Sequence, residues 1–417
     1  MRNDGEDFMN PGYWLFSDVS VSSGLDSSAN TQGSAWCDFD NDNDVDLYLV
    51  NYSSANALFR NDGGTFIEIG ASVGVDDPGT GRSASWGDFD NDGHFDLYVT
   101  NYGSENKLYM NIGGVFTEIA AGVGVDDAGN SRGSSWLDYD NDGNLDLIVA
   151  NSNDGSVTID NILYHNEGGL FVAVVDTVIA DAGGFACTVS LADYNNDGLT
   201  DFYLSNWSGN PNALVRNDTP DTNSYLKLKL TGKTSNLSGF GTRVQVWAGS
   251  SLQAKDIISS DGYLTGNSQI LSFGLGSAAV VDSVLVNWTS GVSQLLTDVA
   301  VNQLLHITES GIDTPLMYSE PVFTDGLENS VQWTDESLSG AVEYEVVAAL
   351  DANFDTIQDG SGWTAGTNWT FTALPDSATI WYHVHSRDIK GVVSRWSPSV
   401  FSTQDNSPPE SEATGPA

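Results

Sequence analysis

The chain has 417 residues, with 14 Lys plus Arg against 57 Asp plus Glu and a formal net charge of -43. That excess of acid excludes nucleic acid or an anionic membrane surface as partner, because a phosphate layer needs a cationic footprint. Hydrophobic residues at 40% and 12 Trp exclude a charged disordered chain and point to roughly two to four globular domains. No apolar run reaches the ~18 residues of a membrane span, so membrane insertion is not expected, and Met1-Arg2-Asn3-Asp4-Gly5 lacks the apolar core of a signal peptide.

Residues 13–20 read as one β-strand with no partner strands before it. A repeat follows. Trp36-Cys37-Asp38-Phe39-Asp40-Asn41-Asp42 recurs 50 residues on from Trp86 and again from Trp136, and a fourth copy begins at Leu191. Each unit reads as strand A (Gly33 to Trp36 in the first), an acidic loop, strand B (Leu47 to Val50), strand C (Ala57 to Arg60), an Asn-Asp-Gly-Gly turn and strand D (Phe66 to Ile69). Repeated four-stranded units of this length predict an all-β propeller of at least four blades. The fourth unit lacks its D strand. The strand at 13–20 either supplies it and closes the ring, or belongs to an earlier blade truncated at Arg2-Asn3-Asp4-Gly5, an echo of Arg60-Asn61-Asp62-Gly63.

The loops place acid at positions 1, 3, 5 and 9: Asp38, Asp40, Asp42 and Asp46; Asp88, Asp90, Asp92 and Asp96; Asp138, Asp140, Asp142 and Asp146; Asp193, Asn195, Asp197 and Asp201. Six to eight hard oxygens suit Ca²⁺ and leave zinc and copper disfavoured. Gly93, Gly143 and Gly198 at position 6, with Asn43 in the first loop, permit the turn that converges the carboxylates. The carbonyls of Asp44, His94, Asn144 and Leu199 at position 7 are candidate further ligands. An EF-hand is excluded, because position 12 is Leu49, Val99, Val149 or Leu204 where a bidentate Glu is required. About four Ca²⁺ per chain are expected, and the bland alternative is a set of solvated turns.

Residues 30–217 resemble the FG-GAP/VCBS repeats of integrin-α-type propellers, whose Asp-x-Asp-x-Asp-Gly-x-x-Asp loops join strands A and B. The resemblance implies Ca²⁺ bracing one face and recognition on the other, with Asn195 a departure in the fourth loop. Gly239-Phe-Gly-Thr-Arg-Val244, Phe273-Gly-Leu-Gly276, Val281-Asp-Ser-Val-Leu-Val-Asn-Trp288 and Leu296-Thr-Asp-Val299 resemble the ASPIC/UnbV domain. Residues 315–404 alternate as a β-sandwich, and Leu374-Pro375 before Tyr382 resembles the tyrosine-corner region of fibronectin type III domains. The expected domains are therefore 1–222, 223–312 and 313–405, with a linker tail at 406–417.

No nucleophile motif accompanies the five His, and His383 with His385 read as sandwich residues without a third ligand. Cys37 and Cys187 sit five positions out of register on equivalent strands, about 16 Å apart, which predicts free thiols. Tyr52, Tyr102 and Trp207 end strands B, and Arg82 and Arg132 enter strands A, all at the end away from the acidic loops. Such a face can stack on sugars or grip carboxylates. The alternative is packing between blades. The expectation is an extracellular or cell-surface, calcium-stabilised binding or adhesion module from a bacterium, without catalysis, with a protein or carbohydrate ligand. The second reading is the carbohydrate-targeting part of a larger secreted polysaccharide-active enzyme.

Overall fold

The structure is a computed structural model and describes residues 2–7, 13–42, 44–152, 160–180, 185–207, 209–220, 222–258, 266–311, 315–321, 323–337, 341–387, 393–394 and 396–405. Asn43 and the expected linker tail 406–417 lie outside the described residues. Two compact units form, Val19–Thr308 and a second that combines Met1–Asp18 with Glu309–Ala417.

In the second unit β1 (Arg2–Asp7) pairs antiparallel with β2 (Tyr13–Ser17). In the first, β3 (Thr31–Cys37), β4 (Asp46–Asn51), β5 (Ala57–Asp62) and β6 (Thr65–Glu68) form one antiparallel sheet. β7 (Gly81–Gly87), β8 (Asp96–Asn101), β9 (Lys107–Ile112) and β10 (Val115–Glu118) form the next. β11 (Ser131–Leu137), β12 (Asp146–Asn151), β13 (Ile162–Asn166) and β14 (Phe171–Val174) form the third, and β15 (Ala186–Ala192), β16 (Asp201–Asn206) and β17 (Ala213–Val215) the fourth. Of the two roles the sequence leaves open for the strand at 13–20, the ladder speaks to its partner: β2 pairs with β1, and the fourth sheet has three strands among the described residues.

Sequence reading missed a one-turn helix ahead of each A strand: α1 (Ser20–Ser23), α2 (Gly70–Val73), α3 (Ala120–Val123) and α4 (Thr177–Ala180). The first three end on left-handed Gly24, Gly74 and Gly124, where a side chain would be strained. Consecutive sheets interlock through aromatics. Trp86 stacks on Phe39 of the preceding repeat and Trp136 on Phe89, each with centroids 6.3 Å apart.

β18 (Ser224–Thr231) pairs with β21 (Leu271–Gly276) and, in parallel, with β24 (Gln303–Thr308). β20 (Ser251–Asp256), β19 (Arg243–Ala248), β22 (Val280–Asn287) and β23 (Ser293–Ala300) form a facing sheet in that order. Alternating apolar residues from both sheets, among them Leu226, Leu228, Val244, Val246, Phe273, Val284 and Trp288, make one buried core.

In the second unit β25 (Phe323–Asp325), β27 (Glu343–Ala349), β28 (Ile357–Gly360), β30 (Thr379–Arg387) and β31 (Val400–Asp405) form a five-stranded sheet. β26 (Asn329–Gln332) pairs with β29 (Asn368–Phe371). Trp333, Tyr344, Phe371 and Tyr382 are buried in the core of this sandwich. The Tyr382 hydroxyl meets the Ser402 Oγ at 3.5 Å and accepts from Gln404 Nε2 at 3.4 Å, so it turns to side chains of β31 and not to the upstream backbone as in a tyrosine corner.

Candidate metal loops and the opposite aromatic face

Each acidic loop is wound on its own carboxylates. The position-1 Asp takes the amide N–H of position 5, as in Asp42 to Asp38 at 3.0 Å, Asp92 to Asp88 at 3.0 Å, Asp142 to Asp138 at 3.1 Å and Asp197 to Asp193 at 3.1 Å. The position-5 Asp takes the N–H of position 7, donated by Asp44, His94, Asn144 and Leu199. Two left-handed residues make the winding possible: the expected Gly93, Gly143 and Gly198, and Asn41, Asn91, Asn141 and Asn196 at position 4, which the sequence reading left without a role.

Position 9 is a bracket. Asp46, Asp96, Asp146 and Asp201 each accept the N–H of position 2 (Phe39, Phe89, Tyr139, Tyr194) on one oxygen. The other oxygen accepts an Asn N–H from the turn after strand C (Asn61, Asn111, Asn166, Asn217) at 2.8 Å. Those asparagines, also missed from sequence, recur at the head of each turn. Asn111, Asn166 and Asn217 reach back to the preceding repeat, donating Nδ2 to the carbonyls of Phe39, Phe89 and Tyr139.

Three loops gather carboxylates within 4.8 Å of one another: Asp38, Asp40 and Asp42; Asp88, Asp90 and Asp96; Asp138, Asp140 and Asp142. In the third loop His165 adds Nδ1, 3.1 Å from Asp146. Burial, compounded by neighbouring carboxylates, pushes Asp88 and Asp46 up to about 7, Asp146 to about 8 and Asp96 to about 9. Asp40 Oδ1 is buried with no hydrogen-bond partner. The donor set is hard oxygen, it is crowded with like charge, and one of its buried oxygens is unpartnered, so these three loops fit Ca²⁺.

The fourth loop is different. Lys227 of β18 donates Nζ to Asp193 Oδ2, and both side chains are nearly buried. Asn195 turns its Nδ2 onto Asp197 Oδ2 at 2.6 Å. Other cations of residues 224–308 approach the same face. Arg243 donates to the Asp38 carbonyl at 2.6 Å but pairs its guanidinium with Asp256, and Lys255 donates to the Ser272 carbonyl. Burial lowers Lys255 to about 8, against the pull of Asp138. Trp36, Trp86 and Trp136 line a cavity of about 460 Å³ whose other wall carries Tyr225, Lys227 and Lys255.

At the far end of strands A and B the five candidate ligand residues form one alternating row. Arg82 lies 4.6 Å from the Tyr52 ring centroid and 5.0 Å from that of Tyr102. Arg132 lies 5.1 Å from Tyr102 and 5.8 Å from Trp207. Both arginines sit at β-bulges, where the register of β7 and β11 skips one residue and re-aims the side chain. Their Nε atoms are buried without a hydrogen-bond partner, Arg82 donates NH1 to Gln32, and Tyr52 and Trp207 keep 36% and 56% of their surface exposed. The remaining predicted groups stay apart. Cys37 and Cys187 are free and buried, and His383 and His385 stack on Trp396, with His385 Nε2 3.1 Å from Glu345.

Residues 38–99, 88–149 and 138–204 match the FG-GAP-like repeat family, and residues 232–313 match the ASPIC and UnbV family. No curated protein matches the chain. Among solved structures it is similar to the fibronectin(III)-like modules of CbhA from Clostridium thermocellum, at 9% identity and a TM-score of 0.19 over 45% of this chain and 93% of that one. It is also similar to the extracellular domain of a one component system protein from B. thetaiotaomicron, at 8% identity and a TM-score of 0.30 over 94% of this chain and 59% of that one. No helix of the described residues is long and apolar enough to cross a membrane.

Proposed function

We propose that this chain, which carries FG-GAP-like repeats and an ASPIC/UnbV domain, is an extracellular binding module stabilised by calcium, with recognition at the end away from the acidic loops. The observation that carries the calcium half is that carboxylates cluster in three loops, where burial raises Asp40, Asp88, Asp96 and Asp146 above the ordinary carboxylate range. A divalent ion relieves that repulsion and restores the ionised form. Supporting the recognition half, the row Tyr52, Arg82, Tyr102, Arg132 and Trp207 combines two cations with half-exposed rings in an acidic chain. Guanidinium edges suit carboxylates and ring faces suit sugars, so an extracellular acidic protein or a glycan is the ligand class. We assign the chain no chemistry of its own.

Thermal melts test the calcium half. An ion that binds only the folded state adds RT ln(1 + [L]/Kd), about 2.7 kcal/mol at a hundredfold excess. Melts in millimolar Ca²⁺ and in chelator are expected to differ by several degrees, and coincident melts would sink the reading. A glycan and matrix-protein screen followed by the triple change Tyr52→Ala, Tyr102→Ala, Trp207→Ala tests the recognition half. Binding is expected to weaken by more than about 2 kcal/mol with calcium content unchanged. Full affinity in a folded triple variant removes the row from recognition.

A further inference from the structure

Resting on the calcium reading for the first three loops, we propose that the fourth loop binds no ion, and that Lys227 takes its place and clips the ASPIC/UnbV domain onto the repeats. Four observations converge on one corner. The Lys227 ammonium sits on Asp193, the position-1 carboxylate that in the other loops belongs to the acidic cluster. Asp193 already accepts the N–H groups of Asp197 and Gly198, so the ammonium completes its shell. The Tyr225 ring packs against Gly198, where a Cβ would come within 2.3 Å of Cε1, so the domain abuts the loop at the one position that carries no side chain. The segment after β20 then ties down the neighbouring strand, with Asn267 Oδ1 accepting the Leu191 N–H at 2.9 Å and Ser268 donating to the Leu191 carbonyl at 3.1 Å.

The fourth loop also differs in its own chemistry. Asn195 stands where the others have Asp, which removes one charge, and its amide is spent on Asp197. The other domain cations do not act this way. Arg243 is committed to Asp256, with its NH1 4.0 Å from Asp38 Oδ2, and Lys255 is committed to a carbonyl, which leaves the first and third clusters with their carboxylates together. One monovalent ammonium from a distant strand thus does for the fourth loop what a divalent ion does for the rest. It converts a metal loop into a domain contact.

The full chain tests this in two ways. Bound calcium is counted by equilibrium dialysis for wild type, Asp92→Ala and Asp193→Asn. Asp92→Ala is expected to lose one ion, and Asp193→Asn none; loss of one ion in Asp193→Asn overturns the proposal. Hydrogen exchange of Asp193–Asp201 and Ser224–Thr231 is then followed in Lys227→Met, Asp193→Asn and the double variant. Each single change strands a buried partner and is expected to speed exchange in both segments by at least about tenfold, with the double variant slower than either single one. Effects that multiply in the double variant overturn the clip. A chain that binds no calcium at all fails the proposed function, and the exchange cycle still decides between clip and coincidence.

Discussion

Asp96 accepts the amide N–H groups of Phe89 and Asn111 at 3.1 and 2.8 Å, whereas Asp90 in the same loop accepts one long bond of 3.3 Å from Asp92. The two carboxylates look equivalent in sequence because the loop pattern repeats Asp at both places. Their duties differ because Asp96 holds a turn 15 residues away, whereas Asp90 is raised by burial and by the neighbouring Asp92 carboxylate. Asp96→Ala is therefore expected to cost about 2–4 kcal/mol with or without Ca²⁺, since it leaves two buried donors unpaired. Asp90→Ala is expected to leave the chelated protein as stable or slightly more so, and to remove the second loop's share of the calcium-induced shift. Melts of both variants in chelator and in Ca²⁺ check the contrast, and equal losses in chelator would contradict it. Winding alone does not create the effect. Asp351 grips the N–H groups of Asn353, Asp355 and Thr356 in a similar turn, but there a slight burial penalty is outweighed by those bonds and the carboxyl stays below its usual range.

Among elements, the decisive contacts join one repeat to the next. Asn111 donates Nδ2 to Phe39 and Phe95 carbonyls at 2.9 and 3.0 Å and accepts the Gly114 N–H at 2.8 Å. All three bonds are lost in Asn111→Ala, and the Phe39 carbonyl belongs to the first repeat. The expected cost is about 2–3 kcal/mol, read as faster hydrogen exchange in β3 and β4 as well as in β9. An effect confined to the second repeat would show that the repeats do not brace each other. The strands of the first repeat were legible: turn residues and alternation place β3 to β6 within two residues of where they fall, because the sheet is built from local hairpins. The links between repeats were less so. The Trp–Phe stacks and Asn staples span repeats, and Arg243 meets Asp38 across 205 positions, distances over which a sequence pattern carries no register. The sequence left two partners open for the strand at 13–20 for a similar reason, since strand type is local information and partner choice, here β1, is not.

At the scale of the whole molecule the two compact units are expected to answer acid with opposite signs. In chelator, the carboxylates of residues 19–308 that burial raises to about 7–9 bind protons more tightly folded than unfolded. Their contribution is fully present below the unfolded carboxylate range and is lost as pH rises through those values, so this unit gains stability from pH 9 downward. Calcium, by holding the same groups ionised, should flatten that slope. In the sandwich, burial between Phe354 and Trp396 lowers His383 to about 4, aided by His385, which is itself lowered. A base that is harder to protonate when folded contributes stability above its unfolded value near 6.5, and loses it as pH falls from there towards 4. Between pH 6.5 and 4, protection factors (exchange corrected for the intrinsic, pH-dependent amide rate) are therefore expected to fall in β27 and β30 and to rise in β7 and β8 of the chelated chain. His383→Phe keeps a ring in the stack and removes the proton site, so it should reduce the acid response of β27 and β30 without touching that of β7 and β8. Parallel acid responses in both units, or an unchanged slope in His383→Phe, would show that these groups do not set the pH dependence.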